Sequence, residues 1–139
     1  MLDANILVRA VLGRRVREIL TGYASAAAFF APDVAYAEAQ EHLPKILAFR
    51  RIPASLALAI LDDIATTVHS LDCATYAAFE QEAKARLIRR DCDDWPILAA
   101  SLALNCPIWT EDSDFFGCGV PTWTTDRVEL FLRGPHSLE

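Results

Sequence analysis

Apolar positions in this chain alternate between short runs and longer stripes. The short runs predict strands at Ala26–Ala31, Val68–Leu71, Pro107–Thr110 and Val120–Thr124. Between the runs, apolar residues recur at spacings of three and four over ten or more positions, which indicates helices. Short strands that alternate with longer helices are typical of an α/β protein. We therefore expect a three-layer α/β/α sandwich around a short, mainly parallel central sheet.

Several polar residues and prolines indicate where the helices begin and end. Asp33 and Asp72 each precede or open a helical pattern, and both are expected to act as helix caps. Pro44 lies within the pattern that follows Asp33, and it predicts a kink or a restart of that helix. Asn105 is expected to end a helix that begins at about Asp94.

Residues 91–116 contain the densest group of acids. A predicted buried helix, about Asp94–Leu104, precedes the apolar run Pro107–Thr110, which leads directly into Glu111, Asp112 and Asp114. In a parallel α/β sheet, ligands bind beyond the carboxyl ends of the strands. Acids gathered there repel one another unless one is protonated or a cation is bound. The pattern predicts a metal site built from oxygen ligands.

Length and composition indicate a folded chain. With 139 residues, of which 53% are hydrophobic, we expect one domain spanning residues 1–139, with a tail at 134–139. Only Met1 and Leu2 precede Asp3, so a first strand that ends at Asp3 would be curtailed.

The net charge of −6 argues against a general electrostatic binder of nucleic acids. It does not exclude an enzyme whose acids hold divalent cations, because bound metals invert the local sign of the charge. The basic residues occur in groups, and the pattern alone favours solvated surfaces over phosphate-binding patches.

The cysteines indicate the cellular compartment in which the protein is expected. The four cysteines form no C-x-x-C pair, so we expect reduced thiols in an intracellular, cytoplasmic protein. We find no signal peptide and no apolar run long enough to span a bilayer, and we therefore expect no membrane association.

The side chains that remain as candidate ligands favour hard cations. The sequence contains no glycine-rich phosphate loop of either common type. The three histidines are isolated from one another and from the cysteines, which argues against zinc. Carboxylates remain, and they suit Mg²⁺ or Mn²⁺.

Three polar residues in the first third of the chain leave alternatives open. Asp3 is equally consistent with a helix N-cap and with an acid at the end of a strand. Asn5 either orients the Asp3 carboxylate or caps a turn. For Glu38, one turn inside an alanine-rich helix, the pattern favours an exposed acid over a metal ligand.

Four acid-containing phrases, in this order and spacing, resemble the PIN-domain family of ribonucleases, which includes the VapC toxins of bacterial VapBC toxin–antitoxin pairs. The phrases are LDANILVRAVL, PDVAYAEAQEHL, DDWPILAASLA and WTEDSDF, and the resemblance covers nearly the whole chain. Each phrase is short and weakly specific, so their order carries most of the resemblance.

The resemblance implies hydrolysis of RNA phosphodiester bonds with Mg²⁺ or Mn²⁺ as cofactor. The implied catalytic residues are Asp3, Glu38, Asp94 and Asp112, and the implied metal ligands among them are Asp3, Asp94 and Asp112. Supporting positions next to these ligands are Asn5, Thr110 and Asp114. Asp91 and Asp93 lie beside Asp94, so another residue of that trio is an alternative ligand.

The same resemblance implies three binding partners: RNA, an antitoxin and a second copy of the chain. RNA needs basic contacts near the acids, and Arg14, Arg15 and Arg17, soon after the first helix, are the expected ones. A toxin implies an antitoxin that covers the acidic site, and composition together with family habit predicts a homodimer.

Two other functions stay open at this point. One is a PIN-like binding or assembly module that does not cleave. The other is a phosphatase of another α/β family, such as the haloacid dehalogenase type. That family requires D-x-D at the first strand, where this chain has Asn5 as the third residue.

Overall fold

The computed structural model describes residues 1–134, in which helices pack around short parallel strands. The helices are α1 (Ala4–Leu12), α2 (Arg15–Tyr23), α3 (Asp33–Arg50), α4 (Ala54–Ile64), α5 (Cys73–Tyr76), α6 (Glu80–Arg86), α7 (Trp95–Leu104) and α8 (Val128–Leu132). Further 3₁₀ turns lie at Ala77–Phe79, Cys92–Asp94 and Ser113–Phe115. The strands are β1 (Phe29–Pro32), β2 (Val68–Leu71), β3 (Ile108–Trp109) and β4 (Thr122–Trp123).

The first two residues join two pairs of strands. β1 pairs with β2, and β3 pairs with β4, in both cases in parallel. The Leu2 N–H donates to the Phe30 carbonyl at 2.8 Å, and the Trp109 N–H donates to the Met1 carbonyl at 2.7 Å. Met1 and Leu2 thus lie between β1 and β3 as a parallel bridge, which gives the spatial order β2, β1, Met1–Leu2, β3, β4. This arrangement confirms the predicted α/β sandwich.

Three of the four predicted strands are shorter or shifted. β1 begins at Phe29 because the N–H groups of Ala26 and Ala27 instead bond to the Tyr23 carbonyl at the end of α2. β3 and β4 are two residues each, and each follows a proline, which has no N–H to donate to a neighbouring strand. Val68–Leu71 has the predicted bounds.

The prediction that Asp33 caps α3 is wrong. Asp33 is the first residue of α3, and Pro32 occupies the N-cap position. The Asp33 carboxylate accepts a hydrogen bond from the Cys73 N–H at 3.2 Å and another from the Tyr76 hydroxyl. It therefore caps α5 from a different element, whereas Asp72, the expected cap there, makes no side-chain capping bond.

The predictions for Pro44 and Asn105 concern the middle of α3 and the end of α7. α3 continues through Pro44 to Arg50, so the helix does not restart at that proline. α7 spans nearly the predicted range and ends at Asn105, whose φ of 50° places it in the left-handed region.

Helices α1 and α7 lie in the centre of the core. Ile6 and Leu7 of α1, and Leu98 of α7, are fully buried. Burial of each such side chain contributes about 1.5–3 kcal/mol to folding. The two helices are therefore held firmly, and so are the acids at their N-terminal ends, Asp3 and Asp94.

Three further predictions concern the cysteines, membrane association and the C-terminal tail. All four cysteines are unpaired. No helix within residues 1–134 is both long and apolar enough to cross a lipid bilayer. The tail predicted at 134–139 lies, apart from Gly134, outside the described residues.

Candidate active site

A cleft of about 230 Å³ opens where the first residues of α1 and α7 meet α3 and the end of β3. We call it the acid cleft. Its lining includes the four acids expected from the sequence, Asp3, Glu38, Asp94 and Asp112. Residues up to 109 positions apart in the chain are therefore brought to one place, next to the carboxyl ends of the strands.

Asp3 lies at the base of the acid cleft and is only 7% exposed. One carboxylate oxygen, Oδ1, accepts from the Ile6 N–H at 3.0 Å and so caps α1. The other, Oδ2, accepts from the Thr110 hydroxyl. Asp3 also directly follows Leu2, which bridges to β3. The two alternatives for Asp3 are thus both true, because one residue caps a helix and ends the central strand.

Thr110 connects two of the acids and is completely buried. Its hydroxyl donates to Asp3 and accepts from the Asp112 N–H at 2.9 Å. Asp112 in turn accepts from the Asp114 N–H through Oδ1 at 2.9 Å. This chain of bonds fixes the start of the segment after β3, residues 110–119, which we call the Asp112 loop.

Asp94, Asp112 and Asp114 form the tightest group of carboxylates. Each of the three offers an oxygen within 4.8 Å of the oxygens of the other two. Asp94 occupies the N-cap position of α7, and its side chain makes no capping bond there. Its carboxylate is therefore not committed to the helix, in contrast to that of Asp3.

Burial and repulsion together raise the proton affinity of two of the acids, Asp94 and Asp3. Burial raises the pKa of Asp94 to about 7, and the negative charges of its neighbours, Asp91 first and then Asp112, add to the effect. Burial likewise raises the pKa of Asp3 to about 6, with further contributions from Asp112 and Glu38, although hydrogen bonds from Thr110 and Ile6 act in the opposite direction. Such a site gains stability when a cation is bound.

The donor set fits a hard divalent cation. The side chains in the lining that have ligand atoms offer oxygen, and no histidine or cysteine is among them. Carboxylate oxygen is the preferred donor for Mg²⁺ and Mn²⁺, whereas structural zinc sites use nitrogen and sulfur. Asp3, Asp94, Asp112 and Asp114 are therefore able to hold such an ion.

Glu38, Asn5 and Asp93 also line the acid cleft. All three are exposed, so each reaches the cleft from its rim. Asn5 makes no hydrogen bond to Asp3; the residue that orients Asp3 is Thr110. The position of Asp93 on the lining keeps it as an alternative to Asp94, although Asp94 is the more buried and belongs to the tight carboxylate group.

The structure does not bring Arg14, Arg15 and Arg17 to the acids. They follow the end of α1, and Asp3 precedes its beginning; a helix of nine residues separates the two by about 13 Å. Arg15 pairs with Glu129 at 2.6 Å, and Arg17 donates to the Gly13 carbonyl.

Sequence reasoning missed two basic residues that contact the Asp112 loop. Arg86 and Arg90 both donate to backbone carbonyls of the Asp112 loop. The available signal was position, since they directly precede the acids that begin at Asp91.

A second cavity has a different character. It encloses about 820 Å³ between β1, β3 and α8, and its lining includes Phe30, Trp109 and Phe131 but no acid. Although this cavity is larger, its lining is mainly apolar and includes neither a carboxylate nor a histidine. Within residues 1–134, the clustered carboxylates suited to metal binding lie at the acid cleft.

Parallel strands with an acid-lined cleft at their carboxyl ends define an α/β protein with a cluster of carboxylates at one edge of its sheet. Comparisons with known proteins narrow this class. The model of the PIN domain family matches residues 1–133. The chain belongs to the PIN domain family, whose members are generally nucleases.

One solved structure has the same fold. It is a chain in the crystal structure of VapBC2 from Rickettsia felis bound to a DNA fragment from their promoter. The TM-score is 0.70 at 17% identity, over 89% of this chain and 96% of that one. At this identity the similarity shows the fold alone. None of the curated proteins matches this chain.

Proposed function

We propose that this protein is a metal-dependent ribonuclease that hydrolyses RNA phosphodiester bonds in the acid cleft. The observation that carries the proposal is the convergence of Asp3, Glu38, Asp94 and Asp112 without a neutralising partner. Within residues 1–134, none of the four forms an ion pair with a lysine, arginine or histidine. Uncompensated acids cost folding stability, so their convergence in one cleft supports a role in cation binding.

Some of these residues would bind the cation directly, and others would orient its ligands. Asp3, Asp94 and Asp112 would hold Mg²⁺ or Mn²⁺, with Asp114 beside them. When bound, the ion would neutralise the scissile phosphate and lower the pKa of the attacking water. Thr110 holds the Asp3 carboxylate in place, as outer hydrogen-bond partners do at metal sites.

Glu38 is suited to a separate task at the rim of the cleft. Its carboxylate is exposed, and no hydrogen bond to the described residues occupies it. We assign it the orientation of the attacking water, with acceptance of a proton from it. Asn5, also on the rim, is in position to donate to a substrate oxygen.

Contacts with RNA extend beyond the cleft in this proposal. Arg14, Arg15 and Arg17 stay the predicted RNA-binding residues. Because they lie at the other end of α1, they would contact phosphates several nucleotides away from the scissile bond. Neutralising all three should then weaken RNA binding and leave metal binding unchanged.

The biological role that we propose is that of a toxin in a toxin–antitoxin pair. The family and the fold shared with VapBC2 from Rickettsia felis support this role. It would include an antitoxin protein that covers the acid cleft, a homodimeric state and a cytoplasmic location. Induced expression should arrest growth, and Asp94→Asn should relieve the arrest; unimpaired growth with the unmodified chain would contradict the role.

The ribonuclease activity is tested directly with purified protein. A mixed pool of single-stranded RNAs is incubated with Mn²⁺, with Mg²⁺ or with EDTA, and cleavage is followed on a gel. We expect cleavage only with a divalent metal, and a loss of at least about 100-fold in Asp94→Asn, because that variant lacks a ligand of the cation.

Asp62→Asn is the matched control, because it makes the same chemical change at an exposed site on α4, away from the cleft. It should cleave like the unmodified protein. Undiminished cleavage by folded Asp94→Asn would refute the site. Absence of cleavage with every metal would instead favour a PIN-like module that binds without cleaving.

A further inference from the structure

Two arginines connect the segment before Asp94 to the Asp112 loop. Arg86 is the last residue of α6, and Arg90 lies four positions later, next to Asp91. Nη1 of Arg90 donates to the Asp114 carbonyl at 2.7 Å. Nη1 of Arg86 donates to the Cys118 carbonyl at 3.1 Å. The two guanidinium groups therefore hold the loop at two points, one beside the acids and one near its far end.

Glycines in the loop are required for this approach. Gly117 and Gly119 have φ values of 85° and 90°, a region that disfavours residues with a side chain. A Cβ atom on Gly117 would lie 3.1 Å from Nη2 of Arg90, and one on Gly119 would lie 2.7 Å from Nη1 of Arg86. The loop is thus shaped so that its backbone lies directly against both guanidinium groups.

Electrostatics alone does not account for Arg90 at this position. A fixed positive charge beside a cation site opposes cation binding. Arg90 nevertheless donates to a backbone carbonyl, and it forms no ion pair with an acid of the described residues. Its contribution must therefore be geometric.

We propose that Arg90, supported by Arg86, is a positioning residue that fixes the Asp112 loop relative to Asp94 and so preorganises the cation site. The inference rests on the function proposed above, because it concerns the same site. Asp94 belongs to the segment that follows Arg90, whereas Asp112 and Asp114 belong to the loop that Arg90 contacts. One side chain consequently ties together the two segments that supply the tight carboxylate group.

The test is a measurement of Mn²⁺ affinity without RNA, by isothermal titration calorimetry or by the electron paramagnetic resonance of free Mn²⁺. Arg90→Ala removes both the charge and the contact. Arg89→Ala is the matched control, because it removes the same charge one position away, from a side chain with no hydrogen bond or ion pair to residues 1–134.

The two variants are expected to differ in their affinity for Mn²⁺. Loss of a positive charge should leave Mn²⁺ binding unchanged or slightly tighter in Arg89→Ala. Arg90→Ala should bind Mn²⁺ about 5- to 20-fold more weakly, because its ligands are no longer held together. Arg90→Lys keeps the charge and one donor, and it should recover part of the affinity.

Thermal unfolding in EDTA shows whether each variant is folded, and Arg86→Ala should lie between Arg90→Ala and the unmodified chain in affinity. If Arg90→Ala binds Mn²⁺ as tightly as Arg89→Ala, the positioning role is wrong. The same holds if Arg90→Ala changes only the KM for RNA, since that would make Arg90 a substrate contact. Failure of the unmodified chain to bind Mn²⁺ would overturn the cation site and the positioning role together.

Discussion

At the scale of single residues, Thr110 is the connection on which the acid cleft depends most. Its hydroxyl bonds at once to the Asp3 carboxylate and to the Asp112 N–H, inside a fully buried environment. A buried carboxylate without its donor is costly, and a displaced ligand binds metal less well. Thr110 therefore contributes to both stability and the site.

Thr110→Val is expected to separate shape from hydrogen bonding, because it keeps the volume and removes the hydroxyl. The free energy of unfolding should fall by about 1–3 kcal/mol. RNA cleavage should fall by about 10- to 100-fold. Urea denaturation and a cleavage assay measure the two effects. Thr110→Ser retains the hydroxyl and should keep most of the activity; equal losses in Val and Ser would show that the methyl group matters instead.

The raised pKa values of Asp3 and Asp94 predict how the stability of the metal-free protein varies with pH. Their pKa values, about 6 and about 7, lie above the ordinary value of 3.8, so the folded state binds these protons more tightly than the unfolded state does. This contribution is fully present below pH 3.8 and is lost as the pH rises through about 6 and about 7. These two residues therefore make the protein less stable at pH 8 than at pH 5.

Thermal unfolding in EDTA between pH 5 and pH 8 tests this dependence. The contribution of Asp94 should disappear in Asp94→Asn, so the melting temperature of that variant should fall less over this range. Mn²⁺ competes with protons for the same oxygens, and it should stabilise the unmodified protein more at pH 8 than at pH 5. Parallel pH profiles for the variant and the unmodified protein would contradict the assignment of the raised pKa to Asp94.

At the scale of elements, α7 shows how one helix serves both the core and the site. Its first turn begins at Asp94 in the acid cleft, and residues 96–101 are buried. It ends at Asn105, whose φ of 50° allows the chain to turn back toward β3. The residue that ends the helix thus helps to direct the chain toward β3, the strand that Thr110 directly follows.

Substitutions of Asn105 test how much that helix end contributes to stability. Asn105→Ala places a Cβ without a compensating polar group in the left-handed region, and it should reduce the free energy of unfolding by about 1 kcal/mol. Asn105→Gly tolerates the same φ and should be nearly neutral. Chemical denaturation of the two variants gives the comparison, and an alanine variant as stable as the glycine variant would argue against a strained cap.

At the scale of the whole molecule, the net charge limits how the proposed RNA substrate can bind. The chain carries a formal net charge of −6, and its cleft concentrates acids. Phosphates are repelled from such a surface until cations occupy it. Divalent metal should therefore act on substrate binding as well as on hydrolysis.

Fluorescence anisotropy with a labelled single-stranded RNA measures this effect, with Ca²⁺ in place of Mn²⁺ to slow hydrolysis. At constant ionic strength, affinity with Ca²⁺ should exceed affinity in EDTA by about tenfold or more, which is about 1.4 kcal/mol. Asp94→Asn should show a smaller difference between the two conditions. Equal affinity in both conditions would show that RNA binds by a route independent of the acid cleft.

Local patterns in the sequence predicted a large part of the fold and of the site. Val68–Leu71 was predicted with its observed bounds, and α7 to within one residue. The four acids that line one cleft were expected from the resemblance to the PIN-domain family. The bounds of the strand and of the helix depend on spacing, caps and prolines within a few residues of one another.

Only the tertiary structure decided how distant segments combine. It assigned Asp3 to both a strand end and a helix cap, and it placed Asp33 as a cap of α5 instead of α3. It also placed the guanidinium groups of Arg86 and Arg90 against the backbone of the Asp112 loop. The physical reason is that each of these roles depends on a partner that lies far away in sequence, so that burial and packing, and no local pattern, determine which groups meet.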